Sequence, residues 1–317
     1  MHWFLGILAS LRTTLVALLL LMLGVLLLLS TSMAPTTALA PAITLLALNL
    51  LVAIFKADKI RRSTALLIFH IALLAIILLV ITSRMTYLKG WVELAEGEGF
   101  FGLTGILHHG LLHPNVSSEL RFIQGDMEFG VFKGKRTRTH SWVTWYDASG
   151  KPSKALIKDQ TPFTLRGYQF SISRNYGFAP QFIWRSGDNI AQGLIKLPSL
   201  PFNLHDQAQT WSIPGTNAEL WTQLQYTGLS DTRFNVPEDH HLVIRVGEAR
   251  HELRPGESVD LPTGKLTYRG LKRWIGYDVF YDWTIPWLLG SCLTALISLG
   301  TFLYQKIVVK PWLQPDK

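Results

Sequence analysis

The chain is poor in charge. Lys, Arg, Asp and Glu make up 16% of its 317 residues, against the roughly 25% of a soluble globular protein, while apolar residues reach 48%. The deficit is local. Residues 13–55, 63–83 and 284–305 hold no charged side chain, apart from the titratable His70, and residues 84–283 have ordinary charge. Cysteine is almost absent too. The single Cys292 lies in the last apolar stretch and excludes a disulfide framework, a CxxC redox pair and a cysteine-built zinc site. The phosphate-cradling GxxxxGK[ST] loop, the GxSxG nucleophile elbow and the HExxH zinc helix are all missing. No motif of self-contained catalysis is therefore present, and the carboxylates of residues 84–283 fall in turns, as solvated charge does.

The net charge of +8 does not indicate a nucleic-acid binder. Eight basic and two acidic residues flank the apolar stretches, so +6 of the charge lies beside them and only +2 in residues 84–283. Basicity next to apolar stretches is a topology signal.

Four stretches are long enough to cross a bilayer at about 1.5 Å per residue: residues 13–32, about 40–55, 63–83 and 284–304. The first competes with a secretory signal peptide. Its apolar core exceeds a signal h-region and a second apolar stretch follows at once, which favours an uncleaved anchor. Residues 33–38 read as a short uncharged loop, and Pro41 is tolerated near the start of the second helix. The loop KADKIRRS and the tail YQKIVVKPWLQPDK are basic. Both then face the cytoplasm, with both termini, and residues 84–283 face outward.

Between the third and fourth helices the pattern is β. Short runs rich in β-branched and aromatic residues (ELRFIQGDMEFGVF, HSWVTWYD, FTLRGYQFSIS, QFIWR, ELWTQLQY, HLVIRVGE, HELRPGESVDL, KLTYRGLK) alternate with Gly, Pro, Asn and Asp. Some eight to twelve strands are expected, as an all-β sandwich or open barrel inserted into a 3+1 set of transmembrane helices. The division is 1–83, 84–283 and 284–317. Tyr277, Phe280, Tyr281, Trp283 and Trp287 crowd the junction with the fourth helix and read as an aromatic belt at headgroup level.

His70 is the ionisable group well inside a span, seven residues or about 10 Å from Ser63. Asn49 falls at similar depth on the second helix. A hydrogen bond between them, worth about 0.6 kcal/mol, is one reading. A neutral imidazole ligating a metal is the other, since ionisable groups inside membranes are functional candidates. His108, His109 and His113 in LHHGLLHP form the densest histidine cluster. Gly110 and Pro114 mark it as a solvated loop without a carboxylate to complete a metal site. His240 and His241 begin a strand.

The order of elements resembles the ResB-like (CcsB) family of system II cytochrome c biogenesis. TALLIFHIALLAIILL followed by GWVELAEGE is similar to the family's histidine-bearing third helix and the strand after it. TPFTLRGYQFSISRNYG is similar to its RGY-x-F strand, ALNLLVAIFKADKIRR to its asparagine-containing second helix, and YDWTIPWLLG to its entry into the last helix. The chain departs from the family in a short MAPTTALAP loop and in having Asp282-Trp283-Thr284 where the family has Asp-Pro-Gly. The resemblance implies a cytochrome c assembly factor of the bacterial inner membrane that handles haem with a CcsA-type partner and presents it to apocytochrome c. His70 is then an axial haem ligand and Asn49 a neighbour supporting it, with no metal beyond haem iron and no catalytic residue. The chain would be an accessory subunit rather than an enzyme by itself. The partner's tryptophan-rich haem-presenting motif is absent here. A non-enzymatic membrane-anchored scaffold or sensor, its β-domain binding a protein or envelope ligand, is the competing reading. A transporter is disfavoured by four helices without a repeat.

Overall fold

The computed structural model describes residues 6–31, 33, 35–114, 119–132, 135–147, 149–200, 207–216, 218–227 and 234–309. Much of the expected cytoplasmic tail, including Lys310 and Lys317, lies outside them. The chain divides into two compact units. One comprises Met1–Tyr87, Gly110–Leu112 and Asp282–Lys317; the other comprises Leu88–His109 and His113–Tyr281.

The first unit is helical. Its long helices are α1 (Leu11–Ser30), α2 (Pro35–Lys56), α3 (Thr64–Thr86) and α4 (Ile285–Tyr304), the last continuing into a π-helical turn, Gln305–Val309. Ser10 caps α1 and Ser63 caps α3, each side chain accepting from a backbone N–H in the first turn. Helix α2 begins at Pro35, inside the uncharged loop predicted over residues 33–38. A proline at the first position needs no intrahelical donor, so Pro35 can open the helix and Pro41 falls inside it.

All four helices are long and apolar enough to cross a membrane, and only 11% of each span is buried within the structure. The leucines and isoleucines of these spans therefore face outward, an arrangement suited to lipid rather than water. Where helices meet, the residues are small. Ala17 of α1 and Ala42 of α2 are fully buried. A Cβ on Gly24 would stand 2.5 Å from the Ala38 carbonyl oxygen. Close approach through small residues maximises van der Waals contact when lipid supplies no hydrophobic drive.

The second unit is built of fourteen described strands in three antiparallel sheets. The largest runs β2 (Gly105–His109), β1 (Leu88–Ala95), β14 (Gly264–Tyr281), β7 (Tyr168–Ser186), β6 (Phe163–Leu165), with β13 (Ser258–Leu261) on β14 and β8 (Asn189–Leu194) on β7. A second sheet orders β12 (Ala249–Leu253), β11 (His240–Val246), β10 (Glu219–Tyr226) and β9 (Ala208–Ser212). The third is β3 (Ile123–Phe132), β4 (Lys135–Tyr146) and β5 (Pro152–Lys158).

Strands β7 and β14 form the spine, paired from Lys265–Arg185 to Tyr281–Tyr168 with irregularities beside Gly270 and Gly276. Their inward positions supply an aromatic core. Phe100 stacks on Phe122 at 4.9 Å, and Phe170 meets both edge-on. The polar tips of the buried rings are matched. Trp274 Nε1 donates to the Leu197 carbonyl at 3.2 Å, and Tyr277 Oη donates to Gln124 Oε1 at 2.7 Å while meeting Ser141 Oγ at 2.6 Å.

Tyr277 is thus a core residue, not part of an interfacial belt. On a strand, side chains alternate in direction, so Tyr277 and Val279 point inward although they share one aromatic run with Phe280 and Tyr281. Tyr281 packs on Tyr168 at 4.7 Å and on His113 at 5.1 Å. Trp283 and Trp287, in the helical unit, are exposed.

Candidate functional site

His70 stands two turns into α3, among Leu, Ile and Phe. Its Nδ1 lies 2.7 Å from the carbonyl oxygen of Leu66, one turn back. A carbonyl oxygen only accepts, so Nδ1 carries the proton. In the neutral ring Nε2 is then left with its lone pair outward along the ring edge. This is the arrangement in which metal-ligating histidines are oriented, the far N–H held by a carbonyl. The ring is half-buried and meets Phe69 edge-on at 5.4 Å.

Asn49 is buried, and its carboxamide is committed elsewhere. Nδ2 donates to the carbonyl of Leu8 and, at 3.2 Å, to that of Ser10, while Oδ1 accepts from Thr14 Oγ1 at 2.9 Å. Both amide protons and one acceptor position are satisfied at the start of α1. Asn49 therefore clasps α2 to the first turn of α1. The sequence comparison of depth put it opposite His70. Depth alone fixes level but not the direction a side chain takes around the helix, and the hydrogen bonds of the two residues do not join them.

The histidine cluster divides as well. His108 and His109 lie in β2 rather than in a loop, opposite Lys89 and Leu88 of β1. His113 is taken up by Tyr168, whose hydroxyl lies 2.8 Å from its Nε2. His240 is buried between the Pro237 carbonyl, 2.7 Å from Nδ1, and the Tyr268 hydroxyl, 3.0 Å from Nε2. Among the described residues no group of three or more His, Cys, Asp or Glu side chains is arranged to hold a metal ion.

Two features of the β unit carried no sequence signal. Glu96 pairs with Arg273, and its carboxylate also accepts from the backbone N–H groups of Met127 and Arg273. The turn that follows β1 is thereby bonded to both β3 and β14. A cavity of about 270 Å³ opens over the Gly276 irregularity, lined by Trp91, Glu93, Leu107, Ser173, Asn175 and Asp278 among others. Burial raises the Glu93 carboxyl above the usual carboxylate range; Lys196 opposes the shift and Glu98 adds to it. Among the described residues the Ser173 hydroxyl of its lining accepts from the Asn175 N–H, and the cavity reads as a polar recess.

Asp282, in the helical unit, holds two helix ends together. Its Oδ1 accepts from the N–H and hydroxyl of Thr284, at 2.9 and 2.7 Å, at the start of α4. Oδ2 accepts from Ser83 near the end of α3 at 2.6 Å.

The fold and these residues define a class: four apolar helices of membrane-spanning length with a large antiparallel β unit between the third and fourth. No protein-family model matches the chain, and no curated protein matches it. Among solved structures the chain is similar to cytochrome c heme lyase CcmF, at 15% identity and a TM-score of 0.28. That alignment covers 92% of this chain and 34% of the other, so the chain spans about a third of that protein's length. A superposition of this quality does not establish a common fold.

Proposed function

We propose that this chain is a ResB-like cytochrome c assembly factor that, with a CcsA-type membrane partner, takes part in moving haem across the bacterial inner membrane and presenting it to apocytochrome c. The observation that carries the reading is His70, whose Nδ1 is fixed on the Leu66 carbonyl in an apolar helix while Nε2 keeps its lone pair. The sequence pattern around that helix, TALLIFHIALLAIILL and then GWVELAEGE, supports it.

Of the residues present, His70 would supply haem iron with one ligand. Imidazole suits iron. Asn49 is occupied by Leu8, Ser10 and Thr14, so a second ligand would come from the partner and the haem would be shared. When bound, reduced haem supplies the vinyl groups that accept apocytochrome thiols. This chain's part is to hold and orient, which makes it an accessory subunit rather than an enzyme alone.

In this reading residues 1–83 and 284–317 form the membrane part and 84–283 the extracytoplasmic part, with both termini in the cytoplasm. The basic loop at residues 56–62 supports that orientation. The test is purification in mild detergent of the full chain alone, of the CcsA-type protein alone and of the two together, followed by haem quantification. The pair should carry more haem than either protein alone. A pair that carries haem at a level indifferent to this chain would return it to the competing reading, a membrane-anchored scaffold or sensor.

A further inference from the structure

The proposed haem function assigns no role to the segment LHHGLLHP, yet the fold treats its middle in an unusual way. Strand β2 ends at His109, and the next three residues, Gly110–Leu112, belong to the helical unit. Gly110 N–H donates to the Tyr87 carbonyl at 2.9 Å and Leu112 N–H to the Met85 carbonyl at 2.7 Å. The tip is therefore seated backbone to backbone on the end of α3. The seat is tight: a Cβ on residue 110 would stand 2.2 Å from the carbonyl carbon and oxygen of Met85. Only glycine lets the two main chains approach so closely.

What the tip presents is bare hydrocarbon. Leu111 is 91% exposed and Leu112 63%, with no charged side chain between His109 and His113. From Thr64 to Met85 α3 rises about 32 Å, roughly the thickness of a bilayer core, so the seat lies at the level where the helix leaves the hydrocarbon. Trp283 is at the same level, its Nε1 donating to Thr86 Oγ1 at 3.1 Å, and Trp287 follows one turn on, 65% exposed.

We infer that Gly110–Leu112 is an interfacial anchor, with Leu111 and Leu112 inserted into the boundary between headgroups and acyl chains of the leaflet where α3 ends. The occupant of this surface is phospholipid. The tip continues the uncovered apolar surface of α3 and α4 and carries no side-chain group that could specify a protein partner. The two indoles beside it have the amphipathic form that settles at such a boundary. The inference rests on the reading that α3 and α4 cross the membrane.

The test uses the full chain in phospholipid nanodiscs with a fluorophore on one cysteine. The native Cys292, exposed on α4 about 10 Å beyond Ile285, reports whether that helix is in lipid. In a Cys292→Ser background, Leu111→Cys reports the tip, and Glu248→Cys, exposed in the turn between β11 and β12, gives the aqueous reference. Nitroxide lipids labelled near the headgroup should quench the label at 111 several-fold more than at 248, and aqueous iodide should quench it several-fold less. Deep nitroxides should quench best at 292. Iodide quenching at 111 equal to that at 248 would overturn the anchor. Shielding of 111 from both quenchers would also overturn it, because protein would then cover the tip. A label at 292 untouched by any nitroxide lipid would instead bring down the membrane reading beneath it. Should Leu111→Cys not accumulate, Leu112→Cys takes its place with the same expectations.

Discussion

Ser83 and Asp282 are 199 residues apart, and the serine hydroxyl donates to the aspartate carboxylate at 2.6 Å. The bond joins the last turn of α3 to the residues that start α4, on either side of the β unit in sequence. The same carboxylate receives the Thr284 N–H and hydroxyl, so one side chain both begins α4 and fixes it to α3. This gives a physical role to the aspartate in YDWTIPWLLG: three hydrogen bonds to one carboxylate start α4 and hold it to α3.

Asp282→Ala should therefore lower the unfolding free energy by about 1–3 kcal/mol, the range for hydrogen bonds to a charged acceptor near a helix start. Ser83→Ala should cost less, and should cost almost nothing once Asp282 is gone. A double-mutant cycle in detergent measures that coupling. Additive losses would mean that the two side chains act separately.

Gly24→Ala tests the seam between α1 and α2. In an open helix the change would stabilise by up to about 1 kcal/mol through helix propensity. Here the new Cβ would meet the Ala38 carbonyl oxygen at 2.5 Å, so a loss of about 1–3 kcal/mol is expected. The sign of the change in thermal stability decides it.

The parts of the fold that sequence made legible are those where composition or alternation is undiluted. The four apolar helices stand out by their lack of charge. Strand β10 coincides with ELWTQLQY because its inward Leu220, Thr222 and Leu224 alternate with outward residues. Strands β2 and β8 were not visible, since nearly all their residues are exposed and no inward set creates a period. The lengths of β7 and β14 were hidden by Gly177, Pro180, Gly270 and Gly276. These read as breaks along the chain, but β7 and β14 run on through them, with ladder irregularities beside Gly270 and Gly276. Of the candidate site, His70 was legible as an ionisable group in an apolar run. Asn49's partners were not, because they depend on how α1 and α2 turn toward each other.

Glu93 makes stability depend on pH. Its carboxyl titrates higher in the folded protein than in the unfolded chain, chiefly because burial disfavours the charge. The folded state then holds the proton longer, so stability falls as pH rises from the usual carboxylate range through the folded value, and the penalty is complete above it. Glu93→Gln should raise the melting temperature at pH 7.5 and lose that advantage below about pH 4. A gain that persists unchanged at low pH would assign the effect to packing instead of ionisation.

The last expectation separates His70 from Asn49. If His70 ligates iron through Nε2, His70→Ala removes the ligand from an apolar helix that inserts at least as well, so abundance should hold while haem and cytochrome maturation both fall. His70→Gln should fail about as badly, since a neutral carboxamide is a poor iron ligand. Added imidazole should restore part of the haem in the alanine variant, because it can fill the coordination position without any change in backbone. Asn49→Ala should behave in the opposite way. It removes hydrogen bonds to Leu8, Ser10 and Thr14, each worth roughly 0.6 kcal/mol in a membrane, and so should cost about 1–2 kcal/mol of stability with haem per folded molecule unchanged. The measurement is haem content at matched abundance across the three variants. A healthy His70→Gln protein would return His70 to helix packing, and a haem loss in Asn49→Ala equal to that in His70→Ala would place the start of α1 at the haem site.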